Sequence, residues 1–317
     1  MDILVAGGAG FIGSHVCRAL LERHHSVICV DNLSTGSQAN IAELEANPAF
    51  RFLRTDVVDV PRLSVDRILH LASPASPVDY DRLSLETMAA NSMGTWRLLD
   101  LAADTGAGMT FVSTSEIYGD PLVHPQPETY WGNVDPVGPR SCYDESKRFG
   151  EALLFTMRRR AGVRANVVRV FNTYGPRMRH DDGRVVPEMM SAAIAGRALV
   201  VHGDGTQTRS FCYVSDLVRG LLLVVLDPLL DGEILNLGNP AEISVRRLAD
   251  EIRLAADSTS IVQFDARRPG DPERRRPDIS KIQRRYGWAP EVPLSEGLRL
   301  TADWFAAEIA APAELSA

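Results

Sequence analysis

A tyrosine and a lysine lie four residues apart at Tyr143 and Lys147, and a Thr-Ser-Glu run precedes them at 114–116. On a helix, this spacing places both side chains on one face. A free tyrosine has a pKa of about 10, too high for a base at neutral pH, and a nearby ammonium group lowers that pKa by favouring the phenolate. The pattern therefore predicts proton transfer by Tyr143, with Thr114 sharing the proton or hydrogen-bonding the reacting oxygen. The same spacing also arises by chance on solvent-facing helices, so its weight depends on the surrounding elements.

Two predicted elements position these side chains. Residues 108–113 (GMTFVS) form an apolar run of β-forming residues, which predicts a buried parallel strand ending at the 114–116 run. Open α/β sheets place their ligands at this end of their strands. Residues 143–160 have apolar side chains at helical spacing, so this segment predicts the helix that carries Tyr143 and Lys147.

A glycine turn near the N-terminus supports a functional interpretation of Tyr143 and Lys147. An apolar strand leads directly into Gly7, Gly10 and Gly13, and a helical pattern follows. These glycines allow a tight turn, close approach of backbone N–H groups to a pyrophosphate, and close packing of the helix on the strand. A second strand, 27–30, ends at Asp31, which can accept hydrogen bonds from both ribose hydroxyls and would repel a 2′-phosphate. The pattern predicts NAD binding and favours NAD over NADP.

Loops after the predicted strands complete this cofactor site. Asn32, Thr35 and Gly36 follow the second strand, near the expected ribose. Asp56 follows the third strand and either accepts a hydrogen bond from the adenine amino group or caps a turn. The predicted cofactor residues are Gly7, Gly10, Phe11, Ile12, Gly13, Asp31, Asn32, Thr35, Gly36, Asp56, Val57, Leu71, Ala72, Ser73, Asn91, Tyr143 and Lys147.

Composition limits the remaining possibilities. The chain has 317 residues, of which 45% are hydrophobic and 24% are charged, as in ordinary globular proteins. Its four cysteines show no metal-ligand spacing, so we expect a reducing compartment and no metal. No apolar run approaches the roughly 20 residues that span a bilayer, and no leader pattern is visible, so we expect a cytoplasmic protein without a membrane partner.

The charges of the chain are unevenly distributed. The net charge of −7 argues against a nucleic acid partner. Within this acidic chain, arginines concentrate near the C-terminal end of the sequence, at Arg267, Arg268, Arg274, Arg275 and Arg276. The cluster is compatible with a local anion site, and the alternative is a solvated basic face.

The order of elements predicts an α/β protein with a doubly wound parallel sheet of the Rossmann type. Six strand and helix units alternate as far as residue 170, and the pattern then becomes rich in loops, as in segments that cover a substrate. A predicted helix at 216–226 and a predicted strand at 234–237 indicate a return to the main sheet. We predict an NAD-binding domain of 1–170 plus about 211–236, and a smaller, discontinuous α/β substrate-binding domain of 171–210 plus about 237–317.

These motifs together resemble the extended short-chain dehydrogenase/reductase family, through Gly7-x-x-Gly10-x-x-Gly13, Asp31, Thr114 and Tyr143-x-x-x-Lys147. More narrowly, the chain is similar to the UDP-glucuronate decarboxylases. That resemblance rests on seven segments: HLASPASP at 70–77, TSEIYGDP at 114–121, ETYWGN at 128–133, RSCYD at 140–144, FNTYGPRM at 171–178, TRSF at 208–211 and RPDI at 276–279.

The resemblance implies NAD-dependent decarboxylation of UDP-glucuronate to UDP-xylose through a 4-keto intermediate, and it assigns roles to three sets of residues. The set for the redox step is Thr114, Tyr143 and Lys147. The set for the glucuronate ring and carboxylate is Ser115, Glu116 and Arg275. The set for binding the UDP-sugar is Pro77, Tyr80, Asn172, Arg184, Val186, His202, Arg209 and Arg275.

The chain departs from the family pattern at two positions, and other functions stay open. His202 stands where relatives commonly have a tyrosine, which puts the uracil contact in doubt, and Ser146 stands where glycine is usual. A UDP-sugar 4-epimerase or 4,6-dehydratase would share the cofactor and the Tyr-Lys pair. The dehydratases have an aspartate before the glutamate, where this chain has Ser115. An inactive NAD-binding regulator is the alternative outside the enzymes.

A homodimer is expected, partly from the family and partly from two predicted long helices, 85–104 and 143–160. Their outer faces carry apolar residues that a partner would cover, and the alternative is burial of these residues within the monomer. The apolar residues concerned are Met88, Leu98, Leu99, Phe149 and Phe155.

Overall fold

The computed structural model describes residues 1–267 and 273–310. Its strands are β1 (Asp2–Ala6), β2 (Ser26–Asp31), β3 (Phe50–Arg54), β4 (Arg67–His70), β5 (Gly108–Thr114), β6 (Ala165–Val170), β7 (Thr173–Tyr174), β8 (Leu199–His202), β9 (Thr208–Ser210), β10 (Cys212–Tyr213), β11 (Ile234–Leu237), β12 (Glu242–Ser244), β13 (Val262–Asp265) and β14 (Arg274–Arg275). Its α-helices are α1 (Phe11–Glu22), α2 (Pro77–Arg82), α3 (Ser84–Ala89), α4 (Thr95–Thr105), α5 (Ser141–Ala161), α6 (Val185–Ile194), α7 (Val214–Val225), α8 (Val245–Ala255), α9 (Ser280–Tyr286) and α10 (Leu294–Ala310).

A seven-stranded parallel sheet forms the centre of the fold, in the order β11-β6-β5-β4-β1-β2-β3. Every residue of β5 is buried, as expected for a strand covered on both faces by helices. The predicted doubly wound α/β architecture is confirmed. Strand β11 pairs with β6, so the chain does return to the main sheet after the loop-rich segment. The predicted division into two domains stays a prediction.

The glycine turn between β1 and α1 has the close packing that its sequence predicts. Gly7 has a φ of 82°, a conformation that side chains rarely adopt, and a Cβ atom there would lie 2.6 Å from the amide nitrogen of Ala72. A Cβ atom at Gly13 would overlap the carbonyl oxygen of Gly7. Glycine at these positions therefore lets α1 begin directly against the turn.

Smaller sheets extend one side of the molecule. Strand β9 pairs antiparallel with β12 and parallel with β14, while β8 pairs with β13 and β7 with β10. The pairing of β9 with β14 aligns Arg209 with Arg275. Two arginines that are distant in sequence thus become neighbours.

The predicted long helix at 85–104 is interrupted, and part of its supposed outer face is wrong. A π-helical segment, Ala90–Gly94, joins α3 to α4. Leu98 and Leu99 are fully buried in the monomer, because α4 packs against the sheet and α5. Met88 and Phe149 are exposed, whereas Phe155 is partly buried.

The helices of the described residues are all too short or too polar to span a membrane. Within residues 1–267 and 273–310, no helix combines the length and apolarity required to cross a bilayer. The same part of the chain holds no group of three or more metal-binding side chains, and its four cysteines are free thiols.

Candidate active site

A cleft of about 290 Å³ opens at the carboxyl ends of β5 and β6. Its walls come from the main sheet, from α5 and α6, and from the paired strands β9 and β14. It brings together many residues singled out from sequence: Ile12, Leu71, Ser73, Pro77, Tyr80, Thr114, Ser115, Glu116, Tyr143, Lys147, Asn172, Arg184, Val186, His202, Arg209 and Arg275.

A smaller cavity of about 80 Å³ lies at the glycine turn. Leu71 and Ser73 line both cavities, so the two are adjacent. The other predicted cofactor residues in its wall are Gly7, Gly10, Asp31, Asn32, Thr35, Gly36, Asp56, Val57 and Ala72. Phe11, Gly13 and Asn91 line neither cavity.

The acidic residues of this smaller cavity are held in place by backbone and side-chain groups. The Asp31 carboxylate accepts hydrogen bonds from the amides of Ala9 (3.0 Å) and Leu33 (2.9 Å), and burial raises its pKa. Asp56 accepts from the amide of Val58 at 3.1 Å, so it does cap a turn, and its other oxygen accepts from Asn32 at 2.7 Å. The unobstructed glycine turn beside a fixed carboxylate fits the pyrophosphate and ribose of NAD.

Asn91 lines neither cavity but binds α5, the helix that carries Tyr143 and Lys147. It is fully buried, and its amide donates a hydrogen bond of 3.0 Å to the hydroxyl of Ser146 on α5. A glycine at position 146 has no side chain to accept this bond. The departure from the family pattern at Ser146 therefore has a structural use, one turn from Tyr143.

Tyr143 lies deep in the main cleft, between Thr114 and Tyr80. Its ring stacks on the ring of Tyr80, with centroids 5.4 Å apart and planes 13° apart. Burial raises the pKa of Tyr143 to about 12, and a side-chain hydrogen bond with Thr114 acts in the opposite direction. Thr114 ends β5, and its hydroxyl also accepts the amide of Glu116 at 3.2 Å.

Lys147 lies on the same face of α5, as its spacing predicts. Its ammonium nitrogen donates to the carbonyl of Val112 at 2.9 Å and lies 5.9 Å from the centroid of the Tyr143 ring. Burial lowers the pKa of Lys147 to about 7. Burial is the largest influence on the pKa of Tyr143, with Thr114 and Arg184 acting in the opposite direction, so a lowering of that pKa by Lys147 stays a prediction.

Glu116 and two arginines form a charged cluster in the cleft. One carboxylate oxygen of Glu116 pairs with Arg275 and the other with Arg140. A second guanidinium nitrogen of Arg275 donates to the carbonyl of Gly119 at 2.8 Å. Arg275 is only 4% exposed, which contradicts the alternative of a solvated face at this position. Its sequence neighbour Arg274 is exposed.

Arg140 is the residue of this cluster that sequence reasoning missed. The signal was present, because the RSCYD segment at 140–144 begins with it, but no role was assigned to it. Of the remaining arginines in the predicted anion cluster, Arg267 pairs with Glu273 at the surface. Arg268 lies outside the described residues.

The predicted UDP-binding residues line the same cleft beyond the charged cluster. Arg184 directly precedes α6 and pairs with Asp182, and Arg209 on β9 donates to the carbonyl of Thr208 at 2.8 Å. A ring nitrogen of His202 lies 3.2 Å from the carbonyl oxygen of Ala266, so the imidazole is held at the wall of the cleft. A contact of His202 with uracil stays a prediction.

Comparison with known proteins agrees with this geometry. Residues 3–238 match the model of the NAD dependent epimerase/dehydratase family. UDP-glucuronic acid decarboxylase 3 of Arabidopsis thaliana is 46% identical over 313 residues, which cover 98% of this chain and 91% of that protein. UDP-glucuronic acid decarboxylase 1 of Danio rerio is 45% identical over 307 residues, which cover 97% of this chain and 73% of that protein.

Solved structures show the same fold. The UDP-glucuronic acid 4-epimerase from Bacillus cereus, in complex with UDP-glucuronic acid and NAD, superposes with a TM-score of 0.88 at 29% identity, covering 97% of this chain and 100% of that one. UDP-glucose 4-epimerase from Thermotoga maritima superposes with a TM-score of 0.88 at 31% identity, covering 98% of this chain and 100% of that one. The chain therefore belongs to the NAD dependent epimerase/dehydratase family and, within it, to the family of the UDP-glucuronic acid decarboxylases.

Proposed function

We propose that this protein converts UDP-glucuronate into UDP-xylose and carbon dioxide, with bound NAD reduced and reoxidised in each turnover. The observation that carries the proposal is the buried Arg275, which pairs with Glu116 in the same cleft as Tyr143. An arginine at this position suits a sugar carboxylate, because its planar fork can donate two parallel hydrogen bonds. Relatives that match nearly the whole chain are named UDP-glucuronic acid decarboxylases.

Direct loss of a carboxylate from a sugar would leave an unstabilised carbanion, so the adjacent carbon must first become a ketone. The chemistry that bound NAD supplies is acceptance of a hydride from C4 of the sugar and its later return. The residues that would hold the cofactor are those of the glycine turn, with Asp31 at the ribose. The protein's own groups then have to move protons and stabilise charge.

Tyr143 is the group that takes the proton of the C4 hydroxyl. Because its pKa is raised to about 12, the phenol is favoured at neutral pH, and the phenolate must be assisted when it forms. Thr114 assists through its hydrogen bond to the tyrosine. Lys147, with a pKa of about 7, can gain or lose a proton at neutral pH close to the tyrosine ring.

Once C4 is a ketone, the carboxylate is β to a carbonyl, and loss of carbon dioxide leaves an enolate. Hydrogen bonds from Thr114 and the protonated Tyr143 stabilise the developing negative charge. Arg275 and Arg140 orient the carboxylate before it leaves, and Glu116 holds both guanidinium groups in place. Glu116 also positions the water that provides the C5 proton.

A UDP-sugar 4-epimerase is the second candidate, because solved structures described as 4-epimerases share the fold at 27–31% identity. It would use the same cofactor and the same tyrosine but would retain the carboxylate. A 4,6-dehydratase is less well supported, since Ser115 occupies the place of its expected acid.

The deciding experiment is to incubate the purified protein and NAD with UDP-glucuronate labelled in the carboxyl carbon. Release of labelled carbon dioxide together with UDP-xylose is expected. Formation of UDP-galacturonate without gas release would replace the proposal with the epimerase, and cofactor binding without any turnover would indicate a regulator. Tyr143→Phe, which removes the proton-transfer group, is the matched inactive control.

We also propose a homodimer in a reducing, cytoplasmic setting. Exposed apolar side chains form a row along the helix from α3 to α4, at Leu85 (76% exposed), Met93 (64%) and Trp96 (52%), and Phe149 extends it onto α5. A contact between two such faces would remove this surface from water. A monomeric mass by light scattering at micromolar concentration would contradict the dimer. The free thiols agree with a reducing compartment.

A further inference from the structure

Decarboxylation consumes a proton at C5, and the residues described so far position the water that delivers it but do not show how that proton is replaced from solvent. When the bond between C5 and the carboxyl carbon breaks, carbon dioxide leaves and the electron pair stays with the sugar. A proton must then form the new C–H bond at C5. The substrate carboxylate is ionised at neutral pH and brings no proton. One solvent proton is therefore consumed in each turnover, provided that the proposed decarboxylation is correct.

A second cavity shares the charged cluster with the substrate cleft. Its volume is about 280 Å³, and its outer wall is formed by the loop from Gly119 to Pro139. Glu116, Arg140 and Arg275 line both this cavity and the substrate cleft, so the cluster is the partition between them. A water molecule occupies about 30 Å³ in the liquid, so the cavity has room for several.

One buried carboxyl group faces this second cavity and not the substrate cleft. Asp144 follows Tyr143 on α5, is 7% exposed, and lines the cavity behind the cluster. Its Oδ1 atom is buried and has no hydrogen-bond partner among residues 1–267 and 273–310. A buried polar atom without a protein partner, at the wall of a cavity that several charged side chains also line, is a place where water binds.

We propose that this cavity is the route by which solvent protons reach C5, and that Asp144 is the relay residue between solvent and Glu116. The Asp144 carboxylic acid gives its proton through cavity water to the Glu116 carboxylate. Glu116 passes the proton, directly or through its bound water, to the electron pair on C5, and the Asp144 carboxylate takes the next proton from solvent. Charge and atoms balance over the cycle.

The charges around Asp144 suit a group that exchanges protons near neutral pH. Burial raises its pKa to about 6, while the guanidinium groups of Arg140 and Arg275 act in the opposite direction. On its own helix, Glu145 raises and Arg148 lowers the pKa further. The charged groups that face it across the cavity are Glu116, Asp120, Asp135, Arg140 and Arg275. Tyr80 faces it from α2.

Other groups of the cavity are poorer relays. The two guanidinium groups stay protonated at all working pH values and cannot cycle. Asp120 and Asp135 are exposed to solvent, so neither is enclosed beside Glu116 as Asp144 is. The competing explanation for Asp144 is that it only balances the charge of the arginines.

The test is a single turnover, started by rapid mixing of the NAD-loaded protein with UDP-glucuronate. The absorbance of the reduced cofactor is recorded during the reaction. The signal rises on oxidation at C4 and falls when the hydride returns after C5 protonation. In Asp144→Asn, the rise and the first release of carbon dioxide should stay within about twofold of the parent, while the fall slows by about tenfold or more. Asp144→Glu should restore the fall.

The pH profile separates a relay from a charge balancer. In the parent, the rate of the fall should decrease as pH rises above the pKa of Asp144, because the acid form is the donor. Asp144→Asn should lose this limb. Equal slowing of rise and fall, or a fall that keeps the parental rate and profile, would overturn the relay. Asp120→Asn, an exposed acid in the same cavity, is the control in which both phases are expected unchanged.

A second variant keeps the idea testable if Asp144→Asn does not fold. Val134→Phe narrows the cavity from its outer wall without removing a charge, so it should also slow the fall. An unaffected fall in a folded Val134→Phe protein would then contradict the route. Failure of the parent to release carbon dioxide would reject the proposed function itself, whereas release by the parent with an unchanged Asp144→Asn rejects only the relay.

Discussion

Replacing Arg275 by lysine is the sharpest test of how the substrate carboxylate is recognised. Lysine keeps the positive charge but presents one compact ammonium group instead of a planar fork. In the structure, the two terminal nitrogens of Arg275 serve different acceptors, the carboxylate of Glu116 and the carbonyl of Gly119. A lysine cannot hold both positions, so it should orient the sugar carboxylate poorly.

The expected magnitude follows from one lost charge-assisted hydrogen bond in a site that is 4% exposed. Such a bond contributes about 1.5–3 kcal/mol, and each 1.4 kcal/mol corresponds to about tenfold in affinity. Arg275→Lys should therefore bind UDP-glucuronate about 10- to 100-fold more weakly, while its affinity for UDP, which lacks the carboxylate, stays within about twofold.

Calorimetric titration of the NAD-loaded protein with UDP-glucuronate and with UDP measures both quantities. Arg276→Lys is the matched control, because Arg276 is a sequence neighbour whose side chain is 41% exposed and only loosely paired with Glu242 at 3.9 Å. Its affinities should not change. Unaltered binding of UDP-glucuronate by Arg275→Lys would refute the carboxylate assignment, and equal weakening of both ligands would indicate a general disturbance of the cleft.

Three further predictions concern the chemistry and the cofactor. Tyr143→Phe should reduce carbon dioxide release by at least about a hundredfold with NAD and UDP binding kept, so activity within about tenfold of the parent would exclude the base assignment. Glu116→Gln should retain substrate binding but slow the steps around decarboxylation, with reduced cofactor accumulating, and a parental turnover number would contradict its role. NAD should bind more tightly than NADP because Asp31 is fixed beside the glycine turn. In a calorimetric comparison, Asp31→Ala should reduce the difference between the affinities for NAD and NADP. A parent protein that binds NADP more tightly than NAD would disprove the assignment of Asp31 to the ribose.

The main sheet could be predicted from sequence because its information is local. The apolar run that forms β5, the glycine turn after β1 and the aspartate that ends β2 are all contiguous patterns, and each lies where it was expected. The alternation of strand and helix units then predicted a doubly wound parallel sheet. The aromatic and charged residues after those strands meet because carboxyl ends of parallel strands share one edge.

Contacts between distant segments could not be predicted in the same way. The pairing of Arg275 with Arg209 depends on the register of two short strands with more than 60 residues between them in the chain. The pairing of Arg140 with Glu116 depends on how the loop before α5 folds back over the cleft. Leu98 and Leu99 were assigned to an outer face because periodicity shows which residues share a face but not which face meets the sheet.

Protonation was the least predictable property, because it depends on burial as much as on neighbours. Spacing alone suggested that Lys147 would acidify Tyr143, yet both groups are enclosed, and burial moves their pKa values towards the neutral forms, to about 12 for the phenol and about 7 for the amine. The same effect raises the pKa of Asp144 to about 6. Asp144 and Lys147, whose pKa values both lie near neutrality, thus follow Tyr143 on α5. Lys147 lines the substrate cleft, and Asp144 lines the second cavity. A site that must remove a proton at C4 and add one at C5 in the same turnover needs donors and acceptors of that kind.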